Sequence, residues 1–106
     1  MPQFNDLPSK LLVAGISGRY AHGQQASFGV VDIEKGSILP THHHVHEQIT
    51  YILEGELEMT IDGQTVLLTP GSYFVIPSNA PHSAIAHTHC KVIDVFSPVR
   101  EEYKNL

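Results

Sequence analysis

Residues 48–68 read QITYILEGELEMTIDGQTVLL, and their reading decides the fold class. The run at 48–53 is rich in β-branched and aromatic residues, and the run at 56–61 alternates polar with apolar side chains. Glu54-Gly55 turns the chain between them. Asp62-Gly63 is the dipeptide of a type I′ hairpin, which returns QTVLL antiparallel to the run before it. The same grammar continues outward on both sides. ASFGVVDI at 26–33 ends before the turn-like EKG, and SYFVI at 72–76 follows Pro70-Gly71. PSNAP at 77–81 turns the chain into HSAIAH and then KVIDVFS. Seven or eight short strands with no useful helical periodicity predict an all-β domain over residues 1–106, an antiparallel sandwich or jelly-roll barrel. Residues 1–25, with Pro2, Pro8, Gly15, Gly18 and Gly23, read as an extended leading segment with one edge strand at LLVAG. Arg19, Tyr20, His22 and Gln24 within it read as surface decoration, and REEYKN at 100–105 as a turn of helix at a solvated end.

Immediately before the first of these strands stands GSILPTHHHVHEQ, with four histidines and a glutamine inside seven residues. On extended backbone side chains alternate between faces, so His42, His44, His46 and Gln48 share one side and His43 points away. Several imidazoles on one face cannot all be protonated cheaply, and a shared divalent cation converts their repulsion into bonding. A terminal tag would be an unbroken run at a chain end; this cluster is internal and leads straight into a strand. His82 follows the PSNAP turn and opens a strand, a position suited to a further ligand. A jelly roll lays distant strands side by side, so His42, His44, Gln48 and His82 can converge as three nitrogens and one amide oxygen, solvent completing the sphere.

Composition bounds the partners. The chain has 106 residues, enough for one hydrophobic core, and a formal charge of −5 with only six Lys plus Arg, which argues against a nucleic-acid surface. A small-molecule ligand is the expectation. The lone Cys90 forms no internal disulfide, no signal-peptide pattern opens the chain, and no apolar run is long enough for a membrane helix; a cytoplasmic, membrane-free location is expected.

Two spaced motifs carry a family resemblance. Gly36-x5-His42-x-His44-x3-Gln48-x6-Gly55, within residues 36–55, resembles the first cupin motif, and Gly71-x5-Pro77-x-Asn79-x2-His82, within residues 71–86, resembles the second. The resemblance implies a double-stranded β-helix and a metal held by His42, His44, Gln48 and His82. Departures exist: Gln48 stands where glutamate is commoner, Asn79 where glycine is, and Ala86 where asparagine is. Glutamine keeps an oxygen ligand but brings no negative charge, which leaves the ion a stronger Lewis acid. His46 falls outside the ligand set, and His43, His87 and His89 read as exposed or structural. Three nitrogens and an amide oxygen suit one divalent ion, whether nickel, zinc, manganese, iron or cobalt. By analogy with cupin barrels a homodimer is expected.

A second chemical set lies in VIDVFSPVREEY at 92–103. Asp94 and Phe96 share a parity, and an acid among Val92, Ile93, Val95 and Phe96 that points inward would be desolvated, its pKa raised into the range of a proton shuttle. Arg100 can grip a carboxylate, and Phe96 can form an apolar wall. HHHVHEQITYILEGELEMTIDG, PSNAPHSA and DVFSPVREEY together resemble the small single-domain cupins of the KdgF type, the pectin degradation proteins, with D-x-F-[ST]-P-x-R-E as the discriminating segment. That resemblance implies an enzyme converting cyclic 4,5-unsaturated uronates from pectin or alginate into linear keto uronates, with Asp94, Phe96 and Arg100 serving substrate and catalysis. The alternatives are a quercetinase-like metal dioxygenase, a sugar isomerase or epimerase, and a non-catalytic ligand-binding cupin.

Overall fold

The computed structural model describes residues 1–106 and folds them into two antiparallel sheets. A 3-10 turn at Phe4–Asp6 precedes β1 (Lys10–Val13), β2 (Ile16–His22), β3 (Ser27–Ile33), β4 (Ile38–His42) and β5 (Glu47–Glu54). Then come β6 (Leu57–Ile61), β7 (Gln64–Leu68), β8 (Tyr73–Ile76), β9 (His82–Ala86), β10 (Cys90–Ser97) and the short helix α1 (Glu101–Lys104). One sheet has the order β1-β2-β3-β10-β5-β8 and the other β4-β9-β6-β7, the crossed connectivity of a jelly roll. No helix is long and apolar enough to cross a membrane.

The local signals act as the sequence predicts. Asp62 and Gly63 both have positive φ, at 49° and 78°, the signature of a type I′ turn that sets the β6–β7 register at Ile61↔Gln64. Gly55 closes β5 where a Cβ would sit 2.1 Å from the His89 carbonyl oxygen, so no other residue fits that turn. Asn79, at φ 64°, occupies a left-handed position that asparagine tolerates, which is how it replaces the usual glycine of the second motif.

Alternation puts one side of each strand into the barrel. Ile52, Val92, Val31, Leu57, Met59 and Ala84 are buried, while Ile49, Tyr51, Tyr73 and Val75 remain exposed on the outer face of the six-stranded sheet. Register then sorts the inward residues into rows. Gln48 pairs with Phe96, which pairs with Ser27; Thr50 pairs with Asp94, which pairs with Gly29 and through it with Tyr20. The next rows are Ile52, Val92, Val31 and Gly18, then Cys90, Ile33 and Ile16. The other sheet repeats the order, with His42 and His82 level with Ile61, followed by Leu39, Ala84 and Met59. One end of the barrel is therefore polar and the other apolar.

Two expectations are corrected. The leading segment contributes two strands rather than one: β2 pairs with β3 along its whole length. Its Gly18, which reads locally as a breaker, lies beneath the Tyr20 ring, as does Gly29 on β3. Tyr20 is therefore core rather than surface, with 7% of its surface exposed. The tail is solvated only in part: Glu101, Glu102, Lys104, Asn105 and Leu106 are exposed and the short helix buries no residue, but Arg100 and Tyr103 fold back. Arg100 is 7% exposed, and the Tyr103 ring packs 4.7 Å from Tyr20 and 5.9 Å from Phe96, because burying two aromatics and a guanidinium stem outweighs the local polarity of REEYKN.

Candidate metal centre

His42 ends β4, directly opposite His82 at the start of β9. His44 lies in the irregular connection before β5, and Gln48 sits one residue into β5. The strand breaks between His42 and Glu47, yet the parity survives: His44, His46 and Gln48 are buried and His43, Val45 and Glu47 exposed. A backbone bond from Asn79 N–H to the His44 carbonyl (2.8 Å) and a side-chain bond from Ser78 Oγ to the Val45 carbonyl (2.5 Å) tie the two motifs together.

The ligand nitrogens of His42, His44 and His82 lie within 4.8 Å of one another. Each Nδ1 meets a backbone carbonyl: His42 that of Pro40 at 2.9 Å, His44 that of His46 at 3.0 Å and His82 that of Ala80 at 2.9 Å. A carbonyl only accepts, so all three Nδ1 atoms carry the proton and all three Nε2 atoms present a lone pair to the common centre. These are the tautomer-fixing acceptors that one sequence cannot name. His44 Nε2 faces Gln48 Oε1 at 3.0 Å, two acceptors with no proton to share, and His82 Nε2 is buried with no partner. Burial holds the His82 pKa down to about 4, with the neighbouring imidazoles and Arg100 adding to it, and burial followed by the Arg100 charge lowers that of His44. Lone pairs gathered in a dry place fit a divalent cation, at the nitrogen and oxygen donors such ions prefer.

Behind this cluster stands the acid. Gln48 Nε2 donates to Thr50 Oγ1 (2.9 Å) and to Asp94 Oδ1 (3.2 Å), and Thr50 Oγ1 donates to the same Asp94 Oδ1 (2.8 Å). Asp94 keeps part of its surface open, toward the cavity it lines. Desolvation pushes its pKa up to about 6, against the Thr50 and Gln48 hydrogen bonds and the Arg100 charge, which pull it down. Arg100 makes no ion pair with it. The guanidinium lies 4.8 Å over the Phe96 ring and 4.2 Å over the Tyr103 ring, with Nε 3.3 Å from Glu102 Oε1. Phe96 is buried beside His44, ring centroids 5.8 Å apart. Five of the seven residues singled out in the sequence, His42, Gln48, Asp94, Phe96 and Arg100, thus line one cavity, and His44 and His82 pack against them, their rings 5.7 Å and 4.2 Å from that of His42. That cavity runs from His42, Gln48, Thr50, Asp94 and Arg100 to a floor of Ile33, Leu39, Leu57 and Met59.

Three of its residues escape the sequence reading. Thr50 looks like an ordinary strand former, although its parity with Gln48 is visible. Tyr20 is signalled only by an isolated glycine inside a strand, Gly29, whose Cβ would lie 2.4 Å from the Tyr20 ring. Tyr103 has no local signal. Burial raises both phenol pKa values, with Asp94 adding to each, so both stay protonated. His46 is buried and donates from Nε2 to the Val99 carbonyl at 3.2 Å, holding the tail that carries Arg100. His43 is exposed, and the exposed His87 and His89 face Glu58 and Asp32.

Comparison with known proteins identifies the family and the fold. Residues 29–96 match the cupin domain model. The chain is 33% identical over 75 residues to the pectin degradation protein KdgF of Dickeya dadantii (strain 3937), an alignment covering 69% of this chain and 68% of that one. It is 36% identical over 95 residues to quercetin 2,3-dioxygenase of Bacillus subtilis (strain 168), covering 74% of this chain but 28% of that longer protein. Among solved structures, KdgF from Halomonas sp. superposes with a TM-score of 0.87 at 30% identity, covering 93% of this chain and 94% of that one. An RmlC-like cupin from Shewanella frigidimarina NCIMB 400 superposes with a TM-score of 0.90 at 27% identity, covering 96% and 93%.

Proposed function

The chain belongs to the cupin family and is a KdgF-like cupin, and on that premise we propose that it is a metal-dependent enzyme converting 4,5-unsaturated uronates into linear keto uronates. The observation that carries the proposal is Gln48, whose oxygen lies 3.0 Å from Nε2 of His44, one of the three clustered imidazoles, while its amide nitrogen donates to Asp94. One side chain thus joins the proposed ion site to the proposed proton carrier. His42, His44, His82 and Gln48 would hold the ion, and a bound divalent ion supplies Lewis-acid polarisation of a substrate oxygen.

The protein's own groups do the rest. The terminal nitrogens of Arg100 have no protein acceptor and meet the substrate carboxylate, while Phe96 and Tyr103 clamp the guanidinium so that it is presented rigidly. Asp94 spends Oδ1 on Thr50 and Gln48, which leaves Oδ2 to work on substrate. It takes the proton of the anomeric hydroxyl as the ring C–O bond breaks, giving an aldehyde and an enolate. It then returns that proton to the enolate carbon, giving the ketone. Nothing is oxidised and no water is consumed. A carboxyl with a pKa near 6 is suited to both directions of transfer near neutrality.

The test is to mix metal-loaded protein with unsaturated galacturonate and follow the ultraviolet absorbance of its double bond. Loss of that absorbance is expected, and Asp94→Ala should slow it about 10²–10⁴-fold even at a metal concentration that saturates the variant. Gln48→Ala should instead lower metal occupancy. Unchanged absorbance with fully loaded protein would refute the assignment. One observation favours a second reading: 12 of the 18 residues lining the cavity are hydrophobic, which suits an aromatic substrate of the kind named by the quercetin dioxygenase relative. Oxygen consumption with a flavonol, measured with an electrode, would select that reading.

A further inference from the structure

Gln48, Thr50 and Asp94 form a closed triangle in which every proton has a destination. The amide has two N–H groups; one goes to Thr50 Oγ1 at 2.9 Å and the other to Asp94 Oδ1 at 3.2 Å. The hydroxyl proton of Thr50 also goes to Asp94 Oδ1, at 2.8 Å, so its lone pair is what receives the amide. Thr50 is 2% exposed and Gln48 7%, so neither can borrow a water to replace a lost partner. Turning the amide over would press its carbonyl oxygen against an Asp94 carboxylate oxygen and aim an N–H at His44 Nε2, tying up in a hydrogen bond a lone pair that the ion needs. The buried triangle forbids that orientation.

We propose that Thr50 is a positioning residue that, together with Asp94, fixes the Gln48 amide with its oxygen toward the imidazoles, and that Asp94 is the reason position 48 carries an amide rather than the carboxylate usual in this motif. The inference rests on the reading that His42, His44, His82 and Gln48 hold a divalent ion. A carboxylate at position 48 would lie beside Asp94 with no proton between them, two like charges in a poorly solvated pocket. A carboxylate there becomes acceptable only if its neighbour at 94 turns into a donor. The identities at 48 and 94 are therefore linked, with one acid between them. The threonine hydroxyl serves either arrangement, because it both donates and accepts.

The experiment is calorimetric titration of the metal-free protein with Ni²⁺, which reads the site without reference to turnover. Thr50→Val keeps the shape but removes the hydroxyl, and should weaken Ni²⁺ binding about 10–100-fold, with Thr50→Ser restoring it. Gln48→Glu alone should also bind more weakly than the parent, whereas Gln48→Glu combined with Asp94→Asn should bind at least as tightly as the parent. A cycle in which Gln48→Glu has the same effect in both backgrounds, or Thr50→Val binding like the parent, would overturn the inference. His44→Ala separates the two levels: if it binds Ni²⁺ as the parent does, the metal reading itself fails, and if it alone loses binding, only the role of Thr50 and Asp94 falls. The cycle stays informative even if Thr50→Val does not fold.

Discussion

The two ends of the barrel are cut from the same strands and treated oppositely. On β5, Gln48 and Thr50 face inward at one end and Ile52 at the other; on β10, which runs the opposite way, Phe96 and Asp94 lie at the polar end and Val92 at the apolar one; on β9, His82 precedes Ala84 and Ala86. Two residues of travel along a strand, about 6.6 Å, separate an acid whose pKa burial raises from a valine that is 2% exposed. The apolar end is filled by hydrocarbon side chains and the Cys90 thiol, which finds the Glu56 carbonyl, and it contributes hydrophobic stability. At the polar end every hydrogen-bond choice is constrained, and the structure leaves His82 Nε2 and His46 Nδ1 buried and unpartnered. Function sits where the barrel gives up stability.

The sharpest way to break this division is to cut into the apolar end. Ile52 is fully buried, and Ile52→Ala should cost about 2–5 kcal/mol in chemical denaturation. Ni²⁺ affinity of the folded protein should stay within a factor of about three, because Ile52 touches no proposed ligand. His44→Ala should do the reverse. If Ile52→Ala weakens Ni²⁺ binding as much as His44→Ala, the two ends form one cooperative unit and the distinction is false.

Proton linkage sharpens it further. The carboxyl of Asp94 has its pKa raised from 3.8 to about 6 in the folded protein, so between those values the folded state holds a proton that the unfolded state has released. Its contribution therefore falls as pH rises through that window. His82 is lowered from 6.5 to about 4, so the unfolded state holds the extra proton and stability rises with pH over nearly the same range. Each effect is on the order of 3 kcal/mol, with opposite sign; His44, His22 and Glu102, whose pKa values are also lowered, add to the rising side, so the metal-free parent should lose stability on acidification from about pH 6.5 to 4, with Asp94 offsetting part of the loss. Asp94→Asn removes that offset, so stability measured in chelator should then drop more steeply on acidification. An equal slope in parent and variant would show that Asp94 does not titrate against the imidazoles.

The proposed ligands and Phe96 were legible in the sequence, and most of the rest of the cavity's walls were not. Strand alternation and turn chemistry are local, which is why QITYIL, the Asp62-Gly63 hairpin and the common side of His44 and Gln48 can be read directly, even though the backbone between His42 and Glu47 is not a regular strand. Asp94 was legible as an acid out of place. Tyr20 and Tyr103 were not, because nothing near either residue in the chain records the other. Their burial arises from β2 pairing with β3 and from the tail folding back, and the second is anchored by contacts as distant in sequence as Ser27 Oγ, which accepts the Arg100 N–H at 2.8 Å.

Gly29 offers the finest test of how the polar end is bounded. It faces inward on β3 between Asp94 on β10 and Tyr20 on β2, the one inward position of that row without a side chain. A Cβ there would stand 2.4 Å from Cε1 and 2.5 Å from Cδ1 of Tyr20, far inside van der Waals contact, and the ring is itself held by Tyr103 at 4.7 Å. Gly29→Ala must therefore push the Tyr20 ring off the strand and toward the cavity. The destabilisation should be about 1–3 kcal/mol, the scale of an overpacked core, and smaller than that of Ile52→Ala because the ring has the cavity to move into. Ni²⁺ affinity should not change, since neither Gly29 nor Tyr20 touches a histidine of the cluster, but the KM for unsaturated galacturonate should rise as the ring fills space meant for substrate. Restoring space with Gly29→Ala/Tyr20→Leu should recover stability without recovering KM. Recovery of both would mean that Tyr20 is packing alone and that the polar end stops at Asp94.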